Sequence, residues 1–309
     1  MTLDMRKKLV VIAGPTAAGK TAASIELAKE IGGEIISADS MQVYRHMDIG
    51  SAKIREEEKE GIPHYLLDVL EPEEPFNVTV FQELALSAME RIYENGHIPI
   101  ICGGTGFYIH AVLYDTAFTE NDTDLSYRHD LEALGRTEGP MYLHALLQEC
   151  DPQSALAIHP NNVKRVIRAL EFYHDTGSPI SAHNLTERAK ESPYDFRYFV
   201  LTMDRAHLYE RIEHRVDRMM EEGLLDEVRA LKERGLKRSD VSMQGLGYKQ
   251  LLSFLDGEMT LEEAVQAIKT ETRHFAKRQL TWFRREKDVI FVDTEKENIL
   301  DVYSTWHFT

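Results

Sequence analysis

The chain opens with a short apolar run at residues 9–12, Leu-Val-Val-Ile, whose β-branched side chains predict a buried strand. Helical character follows to about Ile31, where Gly32 and Gly33 can end it. Residues 34–38 predict a second strand and residues 64–69 a third. Thr79, with Gln82 three residues on, reads as a capping box for a helix that Gly96 closes, and residues 98–102 predict another buried strand. Strands and helices alternating in this way predict an α/β fold with a mostly parallel sheet flanked by helices.

From about Asp115 the alternation stops. As far as Pro193 every signal is helical: Asp124 before residues 125–128, Pro140 opening 141–150, Asp151-Pro152 opening another helix, and Asn162 before 163–174 with Gly177 closing. In the last of these Val163, Val166, Ile167, Leu170 and Tyr173 form a core-facing stripe, while Lys164, Arg165 and Arg168 share another side. An exposed basic face is either plain solvation or a contact for nucleic acid. Strand character returns at 196–202. Helices follow over 206–222, 224–233 and 247–255, then a long one that Thr260 and Glu263 cap and that ends near Arg285, and a short strand at 288–293. The pattern therefore divides the chain into an α/β core, residues 1–115 and 196–309, and an all-helical insertion, residues 116–195.

Between the first strand and its helix lies Gly14-Pro15-Thr16-Ala17-Ala18-Gly19-Lys20-Thr21, a complete G-x-x-x-x-G-K-[ST] element in its required strand, loop, helix context. The two fixed glycines let amide N–H groups turn inward, Lys20 supplies a point charge, and the Thr21 hydroxyl can hold Mg²⁺. The core is thus P-loop NTPase-like, and the chain is expected to bind a di- or triphosphate. Asp39-Ser40-Met41-Gln42 falls at the carboxyl end of the second strand, where open parallel sheets bind ligands. Asp39 there is either catalytic or a helix cap, and Asp68 shares the ambiguity. The strand at 98–102 runs into Gly103-Gly104-Thr105-Gly106 where a phosphoryl-transfer NTPase would place a Mg²⁺-holding Asp, a hint that pyrophosphate leaves whole. Residues 273–285 are cationic and interleaved with aromatics, so they line the phosphate crevice, meet RNA, or form a structural amphipathic face.

At 309 residues and 43% apolar content the chain can bury a sizeable core. A formal charge of -16 argues against nucleic acid on average, but acidic runs at 55–60 and 71–74 read as solvated surface, and only the local field matters to a docked strand. Cys102 and Cys150 have neither metal nor disulfide-framework spacing, which fits a reducing cytoplasm. The 13 histidines show no metal-site spacing, and no run approaches membrane-spanning length, so no membrane association is expected.

Taken together, GPTAAGKT at 14–21, SADSMQVYR at 37–45, GGTGFY at 103–108, KRVIRALE at 164–171, GLGYKQ at 245–250 and AKRQLTWFR at 276–284 resemble the bacterial tRNA dimethylallyltransferases, in order and across most of the chain. The sequence departs from that family's pattern at Ala18, where Ser is commoner, and at Lys164, where Gln is. The resemblance implies transfer of a dimethylallyl group from dimethylallyl pyrophosphate to N6 of adenosine 37 in tRNA. It implies Asp39 as base, Thr105 hydrogen-bonding beside it, and residues 14–21 with Arg215 holding pyrophosphate and Mg²⁺. Asp39 to Gln42 and Thr105 would meet the adenine, and Arg128, Lys164, Arg165, Val166, Ile167 and Arg168 the anticodon stem-loop. The enzyme is expected as a cytoplasmic monomer. Competing readings are an adenylate isopentenyltransferase acting on free AMP, a small-molecule kinase using ATP, and a non-catalytic nucleotide-dependent RNA-binding protein.

Overall fold

The computed structural model describes residues 6–118 and 126–305. The chain forms two compact units, Met1–Leu113 with Pro193–Thr309, and Tyr114–Ser192. In the first unit, β1 (Lys7–Ala13) leads into α1 (Lys20–Ile31), β2 (Gly33–Ala38) and β3 (His64–Tyr65), then α2 (Val78–Glu94), β4 (Ile98–Gly103) and α3 (Gly106–Leu113). The second unit holds α4 (Ser126–Thr137), α5 (Pro140–Cys150), α6 (Pro152–Ala157), α7 (Val163–Thr176) and α8 (Ile180–Ala189). The first unit resumes with β5 (Tyr194–Thr202), α9 (Arg205–Glu221), α10 (Leu224–Glu233), α11 (Tyr248–Leu255), α12 (Leu261–Phe283), β6 (Val289–Asp293) and α13 (Ile299–Thr305).

The sheet has the order β3-β2-β4-β1-β5-β6, and every pair is parallel. The central strands are covered on both faces, which is why they read as unbroken apolar runs: Leu9, Val10, Val11 and Ile12 are all fully buried. Val10 and Ile12 pack with Leu27 and Ala28 of α1, Ile100 of β4 and Phe199 of β5. Helix α1 stops where Gly32 turns left-handed (φ 63°) and donates its N–H to the Ala28 carbonyl. Within β1, Val10 stands beside Ile100 of β4 and Arg197 of β5, so the loops after these strands emerge at one sheet edge.

Two sequence expectations fail here for local reasons. The third strand ends after Tyr65 because Leu66 (φ 63°) and Asp68 (φ 54°) turn left-handed, and Asp68 spends its carboxylate on Lys53 Nζ at 2.6 Å. Helix α2 is capped by Asn77, whose Oδ1 accepts from Thr79 N and Val80 N, while Gln82 donates instead to the Ala111 carbonyl. The box at Thr260 and Glu263 does start α12.

The second unit has its own core, with Leu131, Leu143, Leu147, Val166, Ile167 and Leu170 buried together. Tyr173 departs from the expected stripe; it is exposed, and the core-facing aromatic is Phe172. Asp151 caps α6 through the Ser154 N–H and also accepts from the Ser181 backbone N–H and hydroxyl, tying α8 to α6. Asp124 lies outside the described residues.

Candidate active site

A cavity of about 680 Å³ opens in the first unit at the carboxyl ends of β1, β2 and β4. The phosphate loop, the turns at 39–42 and 103–105, α9, α12 and the loop before α11 wall it. Sequence reasoning placed Lys20, Thr21, Asp39, Thr105 and Arg215 at one crevice, and all five line this cavity.

The loop's shape follows from its glycines. Gly14 has φ 147°, and a Cβ there would stand 2.7 Å from the Leu201 carbonyl oxygen. Gly19 (φ 90°) turns the chain into α1, whose first residues, Lys20, Thr21 and Ala22, line the cavity at the helix N-terminus. Ala18 is buried in the core of the sheet, so the absent serine hydroxyl leaves a methyl that packs there. Lys20 Nζ donates to the Pro15 carbonyl at 2.8 Å, folding the ammonium back over the loop. Burial pulls its pKa down to about 8; Arg215 pushes the same way, whereas Cys102 and Asp39 oppose. Arg215 is likewise lowered, by burial and then by Arg211 and Arg218, and its Nη1 reaches Thr16 Oγ1 at 3.5 Å. Arg215 of α9 and Lys20 thus set two cations in the cavity wall, with Asp39 the carboxylate that acts on both, an arrangement that favours an anionic ligand.

Asp39 caps the turn that follows β2, where no helix begins, and also lines the cavity. Its Oδ1 accepts from Met41 N at 2.8 Å and Gln42 N at 3.4 Å, while Oδ2 has no hydrogen bond among the described residues and lies on a cavity-lining side chain. The Gln42 amide is committed elsewhere: its oxygen accepts from Ser37 Oγ, and its nitrogen donates to the Ser51 and Ala52 carbonyls. Ser40 and Met41 also line the cavity, and a Cβ on Gly245 would meet Met41 Sδ at 2.8 Å. Thr105 follows β4, held by its N–H to the Ala38 carbonyl at 3.2 Å.

The glycines around Thr105 serve protein packing. A side chain on Gly103 would strike the Ala38 backbone, on Gly104 the Gln279 amide, and on Gly106 the Trp282 indole. The 103–108 and 276–284 motifs are therefore two halves of one joint. Gln279 Oε1 accepts from Thr16 N at 3.0 Å, and Gln279 Nε2 donates to the Gly104 carbonyl at 2.9 Å. Sequence reasoning missed Gln279; its signal is a neutral polar residue on the buried stripe Ala264, Ile268, Thr272, Ala276, Gln279, Phe283. The cationic half of α12 is used piecemeal: Arg273 pairs with Glu213, while Arg278 and Phe275 line the cavity, and Lys269 just before that half pairs with Asp217.

Glu227 of α10 was also missed. Its Oε2 accepts from Asp48 N and Ile49 N at 2.8 Å each, and its Oε1 from Gly50 N at 3.1 Å and Tyr248 Oη at 2.7 Å. That carboxylate fastens the segment that brings Gly50, Ser51 and Ala52 into the cavity wall.

In the insertion, the expected stem-loop residue Arg128 is already paired within the protein. Its Nε and Nη2 grip Glu171 at 2.7 and 2.8 Å, a bidentate pair joining α4 to α7. Val166 and Ile167 are core residues and present no side chain to a ligand, and Arg168 is only partly exposed. Lys164 and Arg165 remain as exposed cations at the start of α7.

Among the described residues no three His, Cys, Asp or Glu side chains assemble into a metal site. The oxygen donors present, the exposed Thr21 hydroxyl and the Asp39 carboxylate, suit Mg²⁺, which takes few protein ligands and completes its shell with phosphate oxygens and water. No helix among the described residues is long and apolar enough to cross a membrane.

Comparison with known proteins agrees with this geometry. The IPP transferase family model matches residues 42–286, and an isopentenyl transferase model matches residues 7–73. The chain is 60% identical to a tRNA dimethylallyltransferase of Lachnoclostridium phytofermentans over 94% of this chain and 93% of that one. It is 50% identical to one of Carboxydothermus hydrogenoformans, over 96% and 94%. Among solved structures, a tRNA isopentenylpyrophosphate transferase from Bacillus halodurans aligns with TM-score 0.73 at 46% identity over 97% and 96%. A eukaryotic dimethylallyltransferase acting on tRNA aligns with TM-score 0.80 at 31% identity, over 97% of this chain and 76% of that one. The family-model match over most of the chain and the 60% identity along nearly its whole length place this protein in the IPP transferase family of tRNA dimethylallyltransferases.

Proposed function

We propose that this enzyme transfers the dimethylallyl group of dimethylallyl pyrophosphate to N6 of adenosine 37 in tRNA, releasing pyrophosphate, and that it works in the cytoplasm as a monomer. The observation that carries the reading is the convergence of the phosphate loop, Asp39 and Thr105 on one cavity. In the reaction the N6 lone pair forms a bond to C1 of the allyl group. The C1–O bond breaks with its electrons onto pyrophosphate, and the amine gives up a proton. Asp39 is suited to receive that proton, since its Oδ1 is pinned by two backbone amides and its Oδ2 is left to the cavity. Charge grows on the leaving diphosphate, so the inward amides, Lys20 and Arg215 stabilise the transition state more than the ground state. Thr105, on a turn fixed from both sides, would orient the base or the bridging oxygen. Mg²⁺ held by Thr21 would supply further charge neutralisation to the diphosphate.

An adenosine in an anticodon loop must be splayed out to reach such a cavity, and the loop carrying Asp39 to Gln42 would meet its edge. Ser40 and Met41 are the residues free to do so, since the Gln42 amide is occupied. Lys164 and Arg165 would bind stem-loop phosphates. The test is to incubate enzyme, Mg²⁺, dimethylallyl pyrophosphate and unmodified tRNA and look for N6-alkylated adenosine, with free AMP as alternative acceptor and ATP as alternative donor. Alkylation of AMP in preference to tRNA, or release of γ-phosphate from ATP, would refute the reading.

A further inference from the structure

We propose that Gln279 is a positioning residue that locks the phosphate loop to the turn bearing Thr105, so that diphosphate site and reaction centre hold one fixed spacing. This rests on reading residues 14–21 as the leaving-group site. Gln279 is 6% exposed and uses both ends of its amide, accepting from Thr16 N at 3.0 Å and donating to the Gly104 carbonyl at 2.9 Å. Both partners are main-chain atoms, so the link fixes the backbone of each loop directly. The joint is dimensioned for a glutamine: Gly104 lacks a Cβ because one would overlap the Gln279 amide, and Thr16, whose N–H Gln279 holds, also carries the hydroxyl that Arg215 approaches. A hydrogen-bonded amide of fixed polarity at each end aligns two loops that leave the neighbouring strands β1 and β4, whose pairing runs up to Ala13 and Gly103.

The test is Gln279→Met, which keeps length and volume on α12 but can neither accept nor donate, read by two measurements. Affinity for magnesium pyrophosphate, measured by calorimetry on the full chain, is expected to fall by about 5- to 20-fold, the effect of one or two backbone hydrogen bonds. For alkyl transfer, kcat is expected to fall by about 10- to 100-fold, more than KM for tRNA changes. The loss should be smaller in a Thr105→Val background, because both substitutions disturb one unit. Gln279→Glu keeps the bond to Thr16 N but sets a carboxylate against the Gly104 carbonyl and the incoming diphosphate, and is expected to be at least as impaired. Wild-type pyrophosphate affinity in both variants, or losses that simply multiply with those of Thr105→Val, would overturn the assignment. Weakened pyrophosphate binding by the variants, with no alkyl transfer by the wild-type enzyme, would uphold Gln279 and sink the donor reading alone.

Discussion

If residues 14–21 hold the diphosphate as proposed, Lys20 links its binding to pH. Its ammonium sits beside Arg215 in a low-dielectric pocket that holds its pKa at about 8 instead of 10.5, and only Cys102 and Asp39 oppose the shift. A bound diphosphate sets several negative oxygens against that nitrogen and restores the charged form. The pKa of the complex is therefore higher than that of the free enzyme, binding takes up a proton above pH 8, and affinity falls as pH rises. With a pKa of about 8, Lys20 is about nine-tenths charged at pH 7 and about one-tenth at pH 9, so this contribution weakens binding by about 10-fold across the interval. Pyrophosphate titrates in the same range, so the reference is Lys20→Arg, which stays charged throughout. The quantity to measure is the ratio of wild-type to Lys20→Arg affinity by calorimetry from pH 7 to pH 9, with a Cys102→Ser control to exclude the neighbouring thiol. A ratio flat to within about twofold over that range would refute the argument.

Three further outcomes are expected. Asp39→Ala should lower kcat by about 10²- to 10⁴-fold, the range for a general base, with tRNA affinity retained; near-normal single-turnover rates would remove Asp39 from proton transfer. The affinity for tRNA should fall with salt, and reversing Lys164 and Arg165 together to Glu should reduce the log–log slope by about 1.4 to 1.8; an unchanged slope would show that α7 does not meet the phosphates. Glu227→Ala leaves the Asp48, Ile49 and Gly50 amides and the Tyr248 hydroxyl without their acceptor, and should cost about 2–4 kcal/mol in urea unfolding; a loss below about 0.5 kcal/mol would mean water replaces the carboxylate.

What could be read in advance was local. The phosphate loop, the strand before it and the helix that Gly32 ends are set by residues within a few positions of one another, and so is the Thr260–Glu263 cap. The parallel sheet followed from β-branched runs spaced by helices, and the insertion from their interruption. Where competing short-range options existed, pattern alone chose wrongly: Asn77 caps the helix because its side-chain carbonyl oxygen reaches the Thr79 and Val80 N–H groups at once, which leaves Thr79 inside the first turn. At residues 64–69 the apolar run looked like strand, but left-handed turns at Leu66 and Asp68 divert the chain toward Lys53. Contacts made across the fold left no local trace. Gln279 and Thr16 are 263 positions apart, and Glu227 and Asp48 179 apart, and neither spacing carries a periodicity. Arg128 came into the site only through the family resemblance, and its partner Glu171, 43 positions away on another helix, left no local sign. The glycines at 103–106 mark a close approach of the chain to itself, at Ala38, Gln279 and Trp282, and no local spacing names those partners.

The insertion enters the chain between β4 and β5, and β1 lies between those two strands in the sheet. On the ribosome, β1 can dock against β4 as soon as Gly103 has emerged, but its other edge waits until Tyr194–Thr202 has been made. Throughout translation of Tyr114–Ser192 at ~5–20 residues per second, a nascent sheet carries Leu9 to Ile12 on an unpaired apolar edge for several seconds. Meanwhile the insertion can settle around Leu143 and Val166 without help from the sheet. Trigger-type chaperones that shield hydrophobic edges would find their substrate in that window, and slow codons placed within the insertion would lengthen it.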